Sequence, residues 1–280
     1  PRKVMGKYVY IYSKRYFTPN PEMGVYSDNN GFLSYKFSDK PLEDFRPGGD
    51  ISFNGGEILK NPDGTGTMSY RWGNNHGSII EVNGKWYVFY HRQTGTNEFS
   101  RQAMLEPVDV AMDHSGKIFI GDITYKDGEP VSSRPVEMTS QGGHVNGLDA
   151  YKLISAGYAC HVYGGAGKAY IAPVYEQTDS VSAPVVDITN GTTVGLRYLQ
   201  FGNNSPKTVT AQINALEDIT VNVRVDDYKG KVASMKMSKG ETEKTADITS
   251  GIVGKHAIYF EFLSDSADSI AEFVRFTFDR

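Results

Sequence analysis

The chain has 280 residues, a formal net charge of −4, and a composition rich in tyrosine (18), phenylalanine (14) and glycine (30). This composition favours strands and tight turns over long helices, and the length suits two domains. No run of lysine or arginine predicts a nucleic-acid partner, and no apolar run of about 18 residues predicts membrane insertion. Cys160 is the only cysteine, which excludes an internal disulfide.

Two segments near the start of the chain share one pattern. Residues 4–13 (VMGKYVYIYS) and 82–91 (VNGKWYVFYH) both read Val-x-Gly-Lys, followed by an alternating run of aromatic and aliphatic residues. Such a pattern is typical of a hairpin that leads into a half-buried strand. A unit that recurs at long spacing predicts repeated blades of a β-propeller. The chain has room for barely two blades, whereas propellers close with about four to eight. We therefore expect the chain to be the end of a longer protein.

The first hairpin is followed by a predicted strand at 32–37 and a glycine-rich stretch at 47–66. The second hairpin is followed by alternating residues at 99–110 and a further strand at 117–123. Around 142–167 the sequence becomes rich in glycine and small residues, which indicates a domain boundary. We assign residues 1–165 to the propeller portion and residues 166–280 to a second domain.

The second domain consists of short alternating segments separated by turn residues, which predicts an antiparallel β-sandwich of jelly-roll type and makes the whole chain all-β. The predicted strands are 185–188, 194–201, 208–213, 219–225, 231–237, 256–262 and 271–278.

Several motifs in the first half resemble glycoside hydrolase family 43. They occur in the family's order and comprise residues 2–13, 35–41 (YKFSDKP) with 48–49, 74–81 (NNHGSIIE), 91–92, 99–102 (FSRQ) and 106–107. The resemblance implies a five-bladed β-propeller of inverting arabinofuranosidases, β-xylosidases and arabinanases, of which this chain holds the last blades. More weakly, residues 191–201 and 254–260 are similar to carbohydrate-binding module family 6.

Inverting hydrolysis requires a general acid and a general base, two carboxyl groups about 6.5–9.5 Å apart. The resemblance implies that both groups, and a third carboxylate that tunes the acid, precede Pro1. We therefore expect no catalytic acid or base in this chain, and we do not assign those roles to Glu81, Glu106 or Asp109.

His76 is the strongest candidate for a functional residue. By resemblance, this histidine faces a central ion or water cluster at the propeller axis, which implies a calcium ion close by. Direct binding of calcium by a single histidine is chemically unusual, so a contact through water is the preferred interpretation. Without the motif, a histidine beside glycine is more often a turn residue whose hydrogen bonds are satisfied.

Three further residues are candidates for substrate binding. Arg101 matches an arginine that points at the sugar hydroxyls in the family, and its guanidinium offers several fixed donors. Trp72 and Phe99 are candidates for a wall that stacks on a sugar ring, although aromatic residues in so aromatic a chain more often form the core. For His91 and Arg92 a structural role is at least as plausible as a catalytic one.

The resulting hypothesis is an inverting glycoside hydrolase that acts on arabinose- or xylose-containing plant polysaccharides or oligosaccharides. Its expected partners are arabinoxylan, arabinan or a xylo-oligosaccharide, together with the missing N-terminal propeller fragment. The resemblance also implies a secreted, periplasmic or cell-surface location. The alternative is a non-catalytic carbohydrate-binding or scaffolding protein. Because residues 243–248 lack the tryptophan common in family 6, we interpret the sandwich mainly as a domain that packs against the propeller.

Overall fold

The structure is a computed structural model that describes residues 1–17, 29–62, 66–70, 73–173, 183–226 and 230–280. Within these ranges the regular structure consists of strands and a single turn of 3-10 helix at Ala156–Tyr158. The predicted all-β class is confirmed. No helix in the described part of the chain has the length and apolar character needed to cross a membrane.

The described part of residues 1–138 contains eleven strands. They are β1 (Arg2–Val4), β2 (Lys7–Tyr16), β3 (Asn29–Ser38), β4 (Arg46–Phe53), β5 (Ile58–Lys60), β6 (Gly66–Met68), β7 (Ser78–Val82), β8 (Lys85–Gln93), β9 (Arg101–Met112), β10 (Ile118–Lys126) and β11 (Glu129–Arg134). One antiparallel sheet has the order β1-β2-β3-β4, and a second has the order β11-β10-β9-β8-β7. Each sheet is a meander, as in a propeller blade, and β5 and β6 form a separate hairpin.

The two copies of the repeated motif fold into equivalent hairpins. In the first, Val4 pairs with Lys7, and in the second, Val82 pairs with Lys85. Both central residues of each two-residue turn have positive φ, at +46° and +82° for Met5-Gly6 and at +52° and +75° for Asn83-Gly84. These angles define type I′ turns, whose twist matches that of the flanking strands. The predicted repeat is therefore present in the backbone.

Tyr35 joins the two sheets. Its side chain is buried, its hydroxyl donates to the carbonyl oxygen of Ile118 on β10 (2.9 Å), and it accepts from the amide of Ile120 (3.1 Å). After β11 the chain returns to β4, where the amide of Val136 donates to the carbonyl oxygen of Ile51 (2.7 Å). These contacts hold the sheets face to face, as adjacent blades are.

Twelve further strands follow among the described residues of 139–280. They are β12 (Leu148–Asp149), β13 (Ile154–Ser155), β14 (His161–Gly164), β15 (Tyr170–Ile171), β16 (Val185–Ile188), β17 (Thr192–Gln200), β18 (Thr208–Ala215), β19 (Ile219–Val225), β20 (Gly230–Met237), β21 (Glu243–Asp247), β22 (Lys255–Leu263) and β23 (Ala271–Asp279). One sheet has the order β12-β17-β22-β19-β20, with β14 beside β17. The other has the order β15-β16-β23-β18-β21, with β13 beside β23.

The core of this sandwich is aromatic. Phe260 on β22 meets Phe273 and Phe276 on β23, with ring centroids 4.7 and 4.8 Å apart. All three rings are buried. Because β22 and β23 belong to different sheets, these contacts join the two layers, and each ring contributes the burial of about 150–250 Å² typical of aromatic residues. The predicted β-sandwich is confirmed.

Contacts divide the chain into two compact units. The first comprises Pro1–Gln93 and Arg101–Met138, and the second comprises Thr94–Ser100 and Thr139–Arg280. The division thus falls before the predicted boundary at 165/166. The reason is that residues 139–165 are not a bare linker: β12 and β14 pair with β17, and β13 pairs with β23. These strands have two to four residues, too few for an alternating pattern to reveal them.

Candidate functional site

His76 lies in the turn that enters β7, and its side chain is exposed. The next residue, Gly77, allows this turn to approach β8 closely. A Cβ atom at Gly77 would lie 2.1 Å from the carbonyl oxygen of Phe89 and 2.9 Å from Leu33. Any other residue would push the turn away from the strand, so the Gly in the His-Gly-Ser motif fixes where His76 sits.

His76 contacts a second histidine. Its ring lies against that of His91 on β8, with centroids 5.2 Å apart and planes inclined by 29°. From the sequence, both a structural and a catalytic role were open for His91. The signal that pointed to it was the difference between the two copies of the repeat, since Ser13 occupies the equivalent place in the first copy.

Arg101 begins β9 and pairs with Gln93 across the ladder, two residues beyond His91. Its side chain is exposed. Burial lowers the pKa of His91, and the nearby positive charges of Arg101 and of protonated His76 lower it further. The structure therefore brings together two of the predicted residues, His76 and Arg101, around His91.

A buried asparagine frame holds this part of the first unit. The side-chain amide of Asn54 donates to the carbonyl oxygens of Asn74 (3.2 Å) and His91 (3.1 Å). The amide of Asn75 donates to the carbonyl oxygen of Gly31 (3.0 Å). Both asparagine side chains are fully buried. They tie the turn before His76 to β8 and to the start of β3.

Three polar atoms of this region have no hydrogen-bond partner among the described residues: Asn54 Oδ1, Asn75 Oδ1 and His91 Nε2. A buried polar atom left unpaired costs about 1–3 kcal/mol, so water or a ligand is the usual partner at such places. The frame is thus polar and buried, and the described protein groups alone do not complete its hydrogen bonds.

Arg92 follows His91 but points away from solvent, since only 1% of it is exposed. Its Nε and Nη2 atoms donate to Gln102 Oε1 at 3.1 and 2.8 Å, and its guanidinium lies 4.6 Å from the ring centroid of Tyr70. These contacts describe a structural residue that joins β8 to β9.

Of the two aromatic candidates for stacking on a sugar ring, the structure describes only Phe99. Phe99 lies in the loop between β8 and β9 and is 79% exposed, and its amide is held by Asn97 Oδ1 (2.8 Å). This loop clusters with the second unit. Trp72 lies outside the described residues. The stacking role of both stays a prediction.

The carboxylates that the sequence left unassigned are dispersed. Glu81 and Asp109 lie exposed on β7 and β9. Glu106 is buried on β9 beside the hydroxyl of Tyr90 (3.4 Å).

Calcium takes six to eight oxygen ligands, usually including carboxylates. Among the described residues no group of three or more His, Cys, Asp or Glu side chains could hold a metal ion. The imidazoles and amides near His76 therefore do not fit a directly coordinated calcium ion. A calcium ion held through water near His76 stays a prediction.

The comparisons with known proteins agree with the fold. The chain is 27% identical over 258 residues to a "Xylosidase/arabinosidase" of Thermoclostridium stercorarium, a match that covers 86% of this chain and 50% of the relative. It is 25% identical over 282 residues to an "Arabinoxylan arabinofuranohydrolase" of Paenibacillus polymyxa, covering 96% of this chain and 39% of the relative. No family model matches.

A solved structure also aligns along the whole chain. It is a glycoside hydrolase family 43 arabinoxylan arabinofuranohydrolase from Bacillus subtilis in complex with cellotetraose, with a TM-score of 0.52 and 19% identity, covering 100% of this chain and 53% of that chain. Several family 6 carbohydrate-binding modules align with 48% of the chain at TM-scores of 0.39–0.41.

The class of protein is therefore a β-propeller portion followed by a β-sandwich, and the resemblance to glycoside hydrolase family 43 is confirmed. The chain spans about half the length, or less, of the curated relatives that it matches.

Proposed function

We propose that this chain is part of an inverting glycoside hydrolase that removes arabinose or xylose units from plant polysaccharides or their oligosaccharides. The observation that carries the proposal is the convergence of His76, His91 and Arg101 at one place in the first unit, in the motif order of family 43. The names of the two curated relatives support the substrate class. In this proposal the general acid and base lie on blades that precede Pro1.

Within such a site, Arg101 would donate hydrogen bonds to sugar hydroxyls. A guanidinium stays charged at any working pH and presents its donors in a fixed plane, so it orients a neutral polyol without exchanging protons. His91 would remain neutral beside it, because burial and the neighbouring charge of Arg101 lower its pKa. A neutral imidazole can donate from one nitrogen and accept at the other, and its Nε2 atom is the one without a partner among the described residues.

We also propose that Phe99 and Trp72 stack on the sugar, and that water around His76 would hold any calcium ion. The substrates that we propose are arabinoxylan, arabinan and xylo-oligosaccharides. Because such polymers lie outside cells, we also propose that the protein is exported.

The test has two parts. The first is the intact mass of the native preparation, which reveals whether an upstream propeller fragment accompanies the chain. The second is the release of nitrophenol from aryl α-L-arabinofuranoside and aryl β-D-xyloside, with the anomer of the sugar product followed by NMR. We expect activity with inversion when the upstream blades are present. Complete inactivity with those blades present and folded would refute the proposal and favour the non-catalytic alternative.

A further inference from the structure

The loop between β8 and β9 belongs to a different unit from the strands that it joins. Both strands lie in the first unit, whereas residues 94–100 cluster with the second. The same loop carries the exposed Phe99 and leads directly into Arg101, so it presents two of the candidates for substrate binding. The contacts that fix this loop therefore matter for the proposed site.

Within the second unit, the loop is tied to Ile171 on β15. The amide of Ile171 donates to the carbonyl oxygen of Thr94 (2.9 Å), and the hydroxyl of Thr96 donates to the carbonyl oxygen of Ile171 (3.1 Å). Among the described strands, β15 is the outermost of its sheet, so its free edge offers backbone groups for such bonds. The two threonines thus bind both the donor and the acceptor of one strand residue.

Ile171 is itself placed by the sheet to which it belongs. It pairs with Val185 on β16, and the amide of the next residue, Ala172, donates to the carbonyl oxygen of Pro184 (2.9 Å). Val185 pairs in turn with Phe273 on β23, whose ring is fully buried in the sandwich core. The loop is therefore anchored to a packed sheet and not to another mobile segment.

Inside the loop, further hydrogen bonds extend from the anchor to the residue before Arg101. The amide of Thr94 donates to the carbonyl oxygen of Ser100 (3.0 Å), which continues the ladder between β8 and β9 by one step. Asn97 Oδ1 accepts from the amides of Phe99 (2.8 Å) and Ser100 (2.9 Å). A continuous set of bonds thus links β15 to the backbone on both sides of the loop.

We propose that Thr96 is a positioning residue for the substrate site, because its hydroxyl holds the loop through Ile171 so that Phe99 and Arg101 are ordered before a sugar binds. This role rests on the proposed function. A loop that is ordered in advance loses less conformational entropy when the substrate binds. Thr96 itself does not touch the substrate. The sandwich thereby takes part in the activity by holding a loop.

The first measurement is amide hydrogen exchange in the 280-residue chain, which needs no substrate. Thr96→Val removes the hydroxyl and keeps the size of the side chain. It should speed exchange at the amides of Thr94, Ser100 and Ile171 about fivefold, as expected for the loss of one hydrogen bond. Thr96→Ser keeps the hydroxyl and should exchange at these amides as the unsubstituted chain does.

The second measurement uses the active protein that we propose, with its upstream blades. Thr96→Val should raise KM for aryl arabinofuranoside or xyloside about fivefold and leave kcat nearly unchanged, because a disordered loop must be ordered when the substrate binds. Thr96→Ser should restore the parent KM. Thr245→Val is the matched control, since the Thr245 hydroxyl lies 2.9 Å from that of Thr210 on β18, and it should change neither loop exchange nor KM.

Two results would overturn the proposal. Unchanged exchange in Thr96→Val would mean that the hydroxyl does not hold the loop, whether or not the protein is active. Faster exchange with an unchanged KM would mean that the bond is only structural. Inactivity of the unsubstituted protein with its blades present and folded would instead refute the proposed function, and with it the part of Thr96 in a substrate site, while the exchange rates would still show whether Thr96 holds the loop.

Discussion

The imidazole rings of His76 and His91 lie nearly parallel, with centroids 5.2 Å apart and planes inclined by 29°. His76 comes from the turn before β7 and His91 from β8, so the contact depends on the close approach that Gly77 permits. Burial lowers the pKa of His91, and the nearby charge of Arg101 lowers it further. The effect of these neighbours on the pKa of His91 can therefore be measured in the 280-residue chain without any substrate.

We expect the pKa of His91 to lie below its ordinary value of about 6.5 in the folded chain. Burial is the main cause, followed by the charges of Arg101 and His76. Because the folded pKa is lowered, the unfolded state binds more protons as the pH falls below about 6.5. The contribution of His91 to stability is thus present above that pH and is lost as the pH falls toward the folded pKa. Histidine ring NMR measures this pKa directly.

The matched variants for this measurement are Arg101→Gln and Arg46→Gln. Arg101→Gln should raise the pKa of His91, since it removes a neighbouring positive charge. Arg46 lies on β4 and pairs with Asp39 (3.2 Å), so its removal should leave the titration of His91 unchanged. An identical pKa in all three proteins would mean that Arg101 does not act on His91.

Arg101→Ala should lower kcat/KM for aryl arabinofuranoside or xyloside by about 100-fold in the active protein that we propose, as is typical for removal of one well-placed donor. Arg101→Lys keeps the charge but loses the planar fork, so it should restore only part of the activity. Arg46→Ala is again the control and should retain full activity. Activity of Arg101→Ala near that of the parent protein would remove this residue from the site.

Much of the fold was predictable because its signals are local. The Gly-Lys hairpins follow from two-residue turns, and the strands observed at Val185–Ile188 and Ile219–Val225 have the predicted bounds. Long alternating segments of this kind show which face is buried. In contrast, β21 at Glu243–Asp247 is polar and half-exposed, so its sequence carries no such alternation.

The candidate site was only partly predictable from the sequence. The motifs identified His76 and Arg101, but the contact with His91 arises from tertiary structure that links residues 15 positions apart. The asparagine frame was not predicted, because Asn54 lies in a glycine-rich stretch where asparagine ordinarily indicates a surface turn. Its complete burial depends on partners from β8 and from residue 74, which no local pattern reveals.

Tyr16→Phe should destabilise the first unit by about 1–2 kcal/mol. The hydroxyl of Tyr16 donates to Asp50 Oδ2 (2.5 Å), and Asp50 is only 1% exposed, with Lys14 Nζ 3.2 Å from its other oxygen. Without the Tyr16 hydroxyl, the buried carboxylate of Asp50 loses one hydrogen bond. The midpoint of urea unfolding, followed by tryptophan fluorescence, reports on this unit because both tryptophans fall within residues 1–93.

Tyr125→Phe is the control for this experiment, since Tyr125 is 52% exposed on β10. The pKa of Tyr16 is raised, first by burial and then by its bond to Asp50. A raised pKa in an acidic group means that the folded state keeps its proton longer than the unfolded state does. Stability from this group is therefore present below about pH 10 and is lost as the pH rises further. Equal midpoints of urea unfolding for Tyr16→Phe and Tyr125→Phe would show that the Tyr16 hydroxyl contributes nothing to the stability of the first unit.

Gly48→Ala should destabilise the first unit by about 1–3 kcal/mol, the usual cost of overpacking a core. A Cβ atom at Gly48 would lie 2.1 Å from the ring of Tyr35. That ring cannot swing aside freely, because its hydroxyl bonds to both Ile118 and Ile120 on the neighbouring sheet. Gly49→Ala is the control in the same unit, since a Cβ atom there would meet only ordinary contacts, the nearest being Ser133 Oγ at 3.5 Å. If the two variants unfold at the same urea concentration, the ring of Tyr35 moves aside without loss of stability, and the predicted overpacking at Gly48 is refuted.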